Sequence, residues 1–493
     1  NFISTSEDYN KDSISPTVCF MSFQDILGKK SGKIKEKNMW IHELNWDLVV
    51  FDEYHYGAWR EIAQNIFEDN EEAITSKDFE KIHEEINIDY YNESFLPITS
   101  SSYLYLSGTP FRALNTGEFI EDQIFTWSYS DEQRKKLIHA EESDSPYTQM
   151  PTLCMFAYKL PDDILEYGND GEFNEFDLNE FFKAGGTGVK AKFKYQEKVQ
   201  KWLDLIKGSH KSANIDELKL GSSRKPIMPF DSSELLPNMN HSVWFLPDVA
   251  SCNAMYNLLK SKNNIYYHEY TVNLVAGSTS GYGDKALPPV LESMRNPFKS
   301  KTITLTCGKL LTGTTVKPWT AILMLCNMSS PETYFQAAFR VQNPWVIESD
   351  NFKSREIVKK VCYVFDFSIN RALRQISDYA RGISNYNDDP EDSVSEFINF
   401  LPVIAYDGST VKELDSSDIL DYALSGTSAV LLAKRWESSL LVNTDDATIN
   451  RILSNKQALE AIEKIKDFRN MNVKEEFSKT ITSSEKIKKL KGN

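Results

Sequence analysis

The feature that most constrains the fold is a series of short, almost uninterrupted apolar segments that alternate with polar, helix-like ones. Residues 48–51, 103–106, 241–247, 321–326 and 361–367 are of this kind. Strands of a parallel sheet are covered by helices on both faces, so they are apolar throughout instead of alternating between apolar and polar residues. The chain is therefore predicted to be an α/β protein built on parallel sheets.

The chain is also too long for one hydrophobic core, because single cores stop growing well before 493 residues. Residues 1–150 are predicted to form a first parallel-sheet lobe. Residues 151–238 begin a second lobe and include a stretch of changed composition, 160–238, which is interpreted as an inserted connector. Alternation returns in residues 239–380, the main part of the second lobe. Residues 381–493 show apolar residues at helical spacing and are predicted to be a helical C-terminal region.

Composition argues against several classes of protein. No apolar run approaches the roughly 20 residues that a bilayer-spanning helix needs, and no basic-then-apolar leader is present, so a cytoplasmic location is expected. The six scattered cysteines contain no CxxC pair, which argues against a zinc ribbon or a disulfide framework. A net charge of −16 disfavours nucleic-acid binding by the whole surface, but it allows a local basic cleft.

Two adjacent carboxylates, Asp52 and Glu53, directly follow the apolar run 48–51. One explanation is structural, because acidic side chains favour the N-terminus of a following helix. The other is functional, because carboxylate oxygens bind Mg²⁺ and can orient a water molecule. The pair by itself does not decide between these explanations.

Three more motifs follow this pair in a fixed order: "SGTP" at 107–110, "TCGKLLTG" at 306–313 and "QAAFR" at 336–340. With Asp52-Glu53-Tyr54-His55, the series resembles superfamily 2 helicases and translocases of the DEAD/DEAH type. These have a DExH box, a Ser-Gly-Thr-Pro linkage motif, a Thr…Gly loop and a Gln…Arg motif in that order. The resemblance implies two RecA-like lobes, the first truncated at its N-terminus, with an inserted connector and a helical C-terminal region. ATP and Mg²⁺ would bind between the lobes.

The resemblance assigns roles in the first lobe. Asp52 would hold Mg²⁺ through water, since this ion dehydrates reluctantly. Glu53 would orient and polarise the water that attacks the γ-phosphate. His55 would report the nucleotide state to the residues that couple the two lobes. Those coupling residues would be Ser107, Gly108 and Thr109.

In the second lobe, the resemblance implies that Arg340 faces the γ-phosphate and stabilises the charge that develops in the transition state. Gly313 would allow the backbone to approach the phosphates closely. The residues expected to bind the nucleotide are Gln336, Gly313 and Thr314. The residues expected to contact nucleic acid are Gln24, Thr306 and Lys309.

The resemblance narrows further in residues 16–380. "SGTPFRAL", then "GEFIEDQIFTWSYSDEQ" at 117–133 and "SPETYFQAAFRVQNPW" at 330–345, look like the motor portion of type I and type III restriction enzymes and nuclease-fused restriction helicases. The implied activity is ATP-driven movement along double-stranded DNA in defence against foreign DNA. The implied partner is a nuclease, a methyltransferase or a specificity domain, in the same polypeptide or in another subunit.

Two features depart from this pattern. Asn343 stands where such motors carry a second arginine, so Arg340 would act alone or with a substitute. No GxxxxGK[ST] phosphate-binding loop occurs in the sequence; the glycine-rich segments 185–190 and 277–285 lack its spacing or its final Lys-Ser/Thr. That loop is expected upstream of Asn1, and tight ATP binding is not expected without its backbone N–H groups and its lysine.

These departures leave a second hypothesis open: a degenerate motor that binds nucleic acid or scaffolds an assembly without hydrolysing ATP. An RNA helicase is disfavoured, because "QAAFRVQN" lacks the two-arginine element typical of those enzymes. The basic and aromatic stretch 190–202 could contact phosphates, but an amphipathic helix packed through its aromatic residues explains it equally well.

Overall fold

The computed structural model describes fifteen stretches of the chain. They are residues 2–3, 16–21, 36–52, 98–106, 123–142, 145–165, 176–209, 227–277, 286–308, 310, 314–328, 330–348, 355–383, 390–406 and 411–424.

The N-terminal part contains three pairs of parallel strands. Its elements are β1 (Phe2–Ile3), β2 (Val18–Cys19), α1 (Met39–Glu43), β3 (Asn45–Trp46), β4 (Val49–Phe51), β5 (Thr99–Ser100) and β6 (Tyr103–Tyr105). Strand β1 pairs with β2, β3 with β5, and β4 with β6. The parallel pairing predicted for this region is confirmed in these strands.

Strand β4 differs from the expectation of a fully buried strand. Phe51 is buried, but Leu48 and Val50 are 52% and 47% exposed. In the described part of the chain, β4 pairs with β6 and with no other strand. Apolar residues reveal that a segment is a strand, but burial depends on what packs against each face, which local sequence does not state.

The remaining strands are β7 (Thr152–Tyr158), β8 (Ala184–Gly185), β9 (Lys192–Phe193), β10 (His241–Phe245), β11 (Thr271–Val275), β12 (Thr302–Thr306), β13 (Ala321–Met324), β14 (Val346–Glu348), β15 (Arg355–Ile357), β16 (Val361–Asp366), β17 (Val403–Tyr406) and β18 (Val411–Glu413). Eight of them form one sheet in the order β11-β12-β10-β13-β16-β7-β17-β18. Seven of these strands run parallel, and β18 is antiparallel to β17.

Helices lie along both faces of this sheet. They are α2 (Tyr129–Ile138), α3 (Asp162–Leu165), α4 (Leu178–Phe181), α5 (Gln196–Ile206), α6 (Val249–Leu259), α7 (Leu287–Ser293), α8 (Pro331–Ala338), α9 (Ile369–Ile383), α10 (Pro390–Ile398) and α11 (Ser416–Leu424). Turns of 3₁₀ helix add Glu36–Asn38, Pro146–Gln149, Gly188–Lys190, Leu236–Met239, Lys262–Glu269 and Phe339–Gln342. In the described ranges, no helix has both the length and the apolar character needed to cross a bilayer.

Successive residues of the central strands point into two different cores, as the twofold period of a strand requires. Ile322 on β13 joins a core with α8, α9 and α10, whereas its neighbour Leu323 joins a core with α4, α5 and α6. Both side chains are fully buried. The α/β class is therefore confirmed, and it explains why these strands are apolar without alternation. The division into two lobes stays a prediction.

The order of the strands in the sheet does not follow their order in the sequence. Strand β16, the last strand before residue 380, lies inside the sheet between β13 and β7. After residue 380, where a helical region was predicted, the described residues contain α10 and α11 but also β17 and β18, which extend the sheet. The four residues of β17 are too few to show a period, so their place is set by pairing with β7 and not by local pattern.

The stretch interpreted as a connector contributes described elements to one of the two cores. Trp202 on α5 packs edge-to-face against Trp244 of β10, with ring centroids 5.8 Å apart, and against Phe367 at 5.2 Å. Phe193 is buried, and Lys201 forms an ion pair of 2.7 Å with Asp163. Of the two interpretations of residues 190–202, the structure therefore supports packing through aromatic residues, with helix α5 beginning at Gln196, over phosphate binding.

Candidate functional site

The strand that ends at Asp52 and the strand that precedes the Ser-Gly-Thr-Pro motif are neighbours. Strands β4 and β6 pair in parallel with Phe51 opposite Tyr105, and the Leu106 backbone N–H donates to the Phe51 carbonyl oxygen over 2.8 Å. Both strands leave the sheet at the same edge. The structure thus brings together the ends of two strands, Phe51 and Tyr105, that lie 54 residues apart in sequence.

Asp52 is exposed at this edge. A carboxylate that is open to solvent at the end of a parallel strand fits a Mg²⁺ ion that keeps most of its water molecules. Asp52 is therefore suited to hold such an ion through water, as the motif implies. Eight other predicted residues fall outside the described ranges and stay predictions: Gln24, Glu53, His55, Ser107, Gly108, Thr109, Lys309 and Gly313.

The second half of the predicted site is built on α8 and the turn that follows it. Helix α8 begins cleanly, because the Ser330 hydroxyl accepts the Thr333 backbone N–H over 3.4 Å and Pro331 occupies the first turn. Its buried side carries Tyr334 and Phe335. This packing fixes the helix on the sheet and leaves the turn Phe339–Gln342 at its end.

Three of the residues predicted from the sequence meet at this turn. Arg340 donates from Nε to the Gln336 carbonyl oxygen and from Nη1 to the Thr314 carbonyl oxygen, both over 3.3 Å. Arg340 is partly buried, as is Gln336. The arginine is therefore folded against its own helix and against the end of the loop that follows β12.

Asn343 has a different role from the arginine expected at its position. Its side-chain amide donates to the Arg340 carbonyl oxygen over 2.9 Å and closes the turn. An asparagine suits this task because its short amide readily bonds to nearby backbone groups. Asn343 thus shapes the turn that carries Arg340 and supplies no second guanidinium.

The loop after β12 has strained backbone. Leu310 has a φ of 65°, in the left-handed region that costs an ordinary residue about 1–2 kcal/mol. The Thr314 hydroxyl donates to the Leu310 carbonyl oxygen over 2.6 Å and helps to hold this conformation. Strain of the kind seen at Leu310 concentrates in functional loops.

Thr306, at the end of β12, is fully buried, so its hydroxyl does not lie at the surface where the predicted contact with nucleic acid would form.

A buried ion pair that the motifs did not indicate holds α8 at its other end. Asp366, the last residue of β16, accepts from Arg371 Nη2 over 2.6 Å and from the Tyr334 hydroxyl over 3.0 Å. Both members of the ion pair are at most 3% exposed. Burial, together with the Asp366 carboxylate, raises the pKa of Tyr334, so its hydroxyl remains a donor. An acidic residue at the end of an apolar strand was the signal that sequence reasoning passed over.

The same network reaches two further loops of the sheet edge. Arg371 Nη1 donates to the side-chain oxygen of Asn327, which also accepts the Leu178 backbone N–H over 3.1 Å. The Asn327 amide in turn donates to Asp177 over 2.9 Å. The carboxyl ends of β13 and β16 are thereby joined to the start of α4.

A second buried cation, Lys359, lies just before β16. Its ammonium donates to three backbone carbonyl oxygens: those of Lys317 at 2.9 Å, Trp319 at 2.7 Å and Val341 at 2.8 Å. The side chain is 2% exposed. Burial lowers the pKa of Lys359 to about 8, although the nearby Cys362 thiol acts to raise it.

Lys359 should make the unfolding free energy depend on pH, which can be tested. Its pKa is about 8 in the folded chain and 10.5 in the unfolded one, so the unfolded chain binds more protons between these values. The stability gained from this difference is complete above pH 10.5 and is lost as pH falls through 8. Between pH 7 and pH 10, wild type should gain about 2–3 kcal/mol in unfolding free energy relative to Lys359→Met. Urea titrations at several pH values measure this, and parallel curves for the two proteins would contradict it.

No family model matches the sequence, but the chain is similar to a known restriction-type protein. A protein of Mycoplasma pneumoniae (strain ATCC 29342 / M129 / Subtype 1), whose name assigns it to the C-terminus of a type II restriction enzyme and methyltransferase, is 28% identical over 507 aligned positions. The alignment covers 95% of this chain and 67% of the relative. The predicted resemblance to restriction-type proteins is thereby confirmed.

Two solved structures show lower similarity. An ATP-dependent Type ISP restriction-modification enzyme, LlaBIII, bound to DNA, aligns with 80% of this chain and 23% of its own at 10% identity and a TM-score of 0.35. The Sulfolobus solfataricus SWI2/SNF2 ATPase core domain aligns with 66% of this chain and 62% of its own at 14% identity and a TM-score of 0.21. The chain thus spans less than two thirds of either structure.

Proposed function

We propose that this relative of restriction-modification proteins is the ATP-hydrolysing motor of a restriction-type system and moves along double-stranded DNA. The observation that carries the proposal is the parallel pairing of β4 with β6. It brings Asp52 to the same sheet edge as the segment that leads into Ser107, as the order of the motifs requires. Open α/β sheets bind nucleotides at the carboxyl ends of their strands.

In this proposal the two halves of the site act on the same triphosphate. Asp52 would hold a hydrated Mg²⁺ ion, and Glu53 would orient the attacking water. A bound Mg²⁺ ion would supply positive charge beside the phosphates of ATP. Arg340 approaches from the other side and stabilises the charge that develops on the transferred group. Two of its hydrogen bonds go to neutral carbonyl oxygens, which are weaker partners for a guanidinium than a phosphate would be.

The expected partners follow from the same comparison. The name of the Mycoplasma relative joins a restriction enzyme with a methyltransferase. We accordingly propose that the motor works with a nuclease and a methyltransferase or specificity domain, in one polypeptide or in a complex, on foreign DNA in the cytoplasm. The motor would move the bound DNA past these domains.

The test is a DNA-stimulated ATPase assay on the full-length protein and on its Glu53→Gln variant. The substitution keeps the size of the side chain but removes the carboxylate that polarises the water, so kcat should fall by at least about 100-fold. Glu292→Gln is the matched control, because Glu292 is exposed on α7 and pairs at the surface with Arg295. Equal hydrolysis by wild type and Glu53→Gln would remove Glu53 from the mechanism.

A second candidate is a scaffold that binds DNA without hydrolysing ATP. Asn343 favours it, because this residue closes a turn where a motor carries its second arginine. DNA binding by the full-length protein with no ATP hydrolysis above that of a protein-free blank would establish this candidate over the motor.

A further inference from the structure

The turn that carries Arg340 is held from outside on two sides. On one side, the Gln342 side chain donates to the Glu132 carboxylate of α2 over 2.5 Å. On the other side, the Val341 carbonyl oxygen accepts from the buried ammonium of Lys359 over 2.8 Å. The residues directly after Arg340 are therefore fixed by contacts from elements far away in sequence.

Lys359 and Arg340 connect the same two segments of the chain. Arg340 bonds to Gln336 on its own helix and to Thr314. Lys359 bonds to Val341, in the same turn as Arg340, and to Trp319, five residues after Thr314. The Lys359 ammonium joins the two segments directly, with a bond of 2.7 Å to the Trp319 carbonyl oxygen and one of 2.8 Å to the Val341 carbonyl oxygen.

We propose that Lys359 is a positioning residue for Arg340, and that its three hydrogen bonds set the geometry from which the arginine acts. This inference rests on the proposed function for the catalytic role of Arg340. Desolvating an ammonium is costly, and a methionine would fill similar volume without that cost. Unlike a methionine, the ammonium donates hydrogen bonds, and these hold three carbonyl oxygens at defined positions around one nitrogen atom.

The first experiment is a double-mutant cycle in the full-length protein, with Lys359→Met and Arg340→Ala. Lys359→Met should lower kcat for ATP about 10- to 100-fold with little change in KM, because a misplacement of the order of 1 Å costs about that much. In the Arg340→Ala background, the same change should lower kcat no further. If Lys359→Met lowers kcat by the same factor in both backgrounds, Lys359 does not act through Arg340 and the proposal is overturned.

A second experiment does not depend on hydrolysis. Hydrogen–deuterium exchange of the backbone amides in residues 336–342 should be faster in Lys359→Met than in wild type. Unchanged exchange there would overturn the proposal even if kcat fell. Should the methionine variant fail to fold, Lys359→Gln keeps two donors and should show the same changes at smaller size.

Tyr267→Phe is the control for loss of stability alone. Tyr267 is fully buried in the other core, where its hydroxyl donates to the Leu203 carbonyl oxygen over 3.1 Å. Tyr267→Phe should lower the unfolding free energy and leave kcat unchanged. An equal loss of kcat in Tyr267→Phe and Lys359→Met would contradict the positioning role of Lys359. If Arg340→Ala hydrolysed ATP as fast as wild type, Arg340 would have no catalytic role. The hydrogen–deuterium exchange result would still show whether Lys359 holds the turn.

Discussion

Replacing Arg340 with alanine in the full-length protein should lower the kcat for DNA-stimulated ATP hydrolysis by about 1000-fold, the lower end of the effect of an arginine that stabilises phosphoryl transfer. KM for ATP should change little, because the guanidinium acts on charge that develops in the transition state. Steady-state kinetics over a range of ATP concentrations measures both values.

The folded state of this variant can be checked separately from its activity, by circular dichroism and by its unfolding free energy. Two hydrogen bonds of the Arg340 side chain go to the Gln336 and Thr314 carbonyl oxygens, and the residue is partly exposed. Arg295→Ala is the matched control, since this arginine is 82% exposed on the segment after α7. A kcat for Arg340→Ala within a few-fold of the Arg295→Ala value would contradict the proposed site.

The second large effect concerns stability. Asp366→Ala should lower the unfolding free energy by about 3–5 kcal/mol, because it leaves the buried Arg371 guanidinium without its carboxylate. It also removes the acceptor of the Tyr334 hydroxyl on α8. Chemical unfolding followed by circular dichroism measures the change.

Two further variants make that measurement specific. Asp366→Asn keeps a hydrogen-bond acceptor but loses the charge, so its effect should be smaller than that of alanine. Asp418→Asn removes one side of the partly exposed pair with Lys412, and such pairs contribute about 1 kcal/mol or less. If Asp366→Ala were as mild as Asp418→Asn, the buried pair would not hold α8 to the sheet.

Two residues of the candidate site follow local signals in the sequence. Asp52 comes directly after an apolar run, and Arg340 lies in the turn after a helix whose start is marked by Ser330-Pro331. Such signals depend only on neighbours along the chain, so these positions could be named from the sequence, whereas their roles stay predictions. The comparison with the Mycoplasma protein confirmed the restriction-type resemblance that these signals carried.

Lys359 and Asp366 could not be assigned in this way. Each stands next to an apolar strand, where a charged residue is ordinarily interpreted as the point at which the strand reaches solvent. Both are buried, because β16 lies at the centre of the sheet and not at its edge. Their partners, Val341 and Arg371 among them, come from other elements and from turns with no pattern of their own.

The amino-acid sequence by itself determined the α/β class, three central strands of the large sheet (β10, β13 and β16) and the order of the motif residues, because apolar runs and helix starts depend on neighbours along the chain. Only the tertiary structure decided the strand order, the packing of helix α5 through its buried side, and the contacts that hold the Arg340 turn. These depend on side chains that lie far apart in sequence and meet only once the sheet has formed. A local pattern indicates that a segment is a strand or a helix, and the fold decides which of its residues are buried and against what.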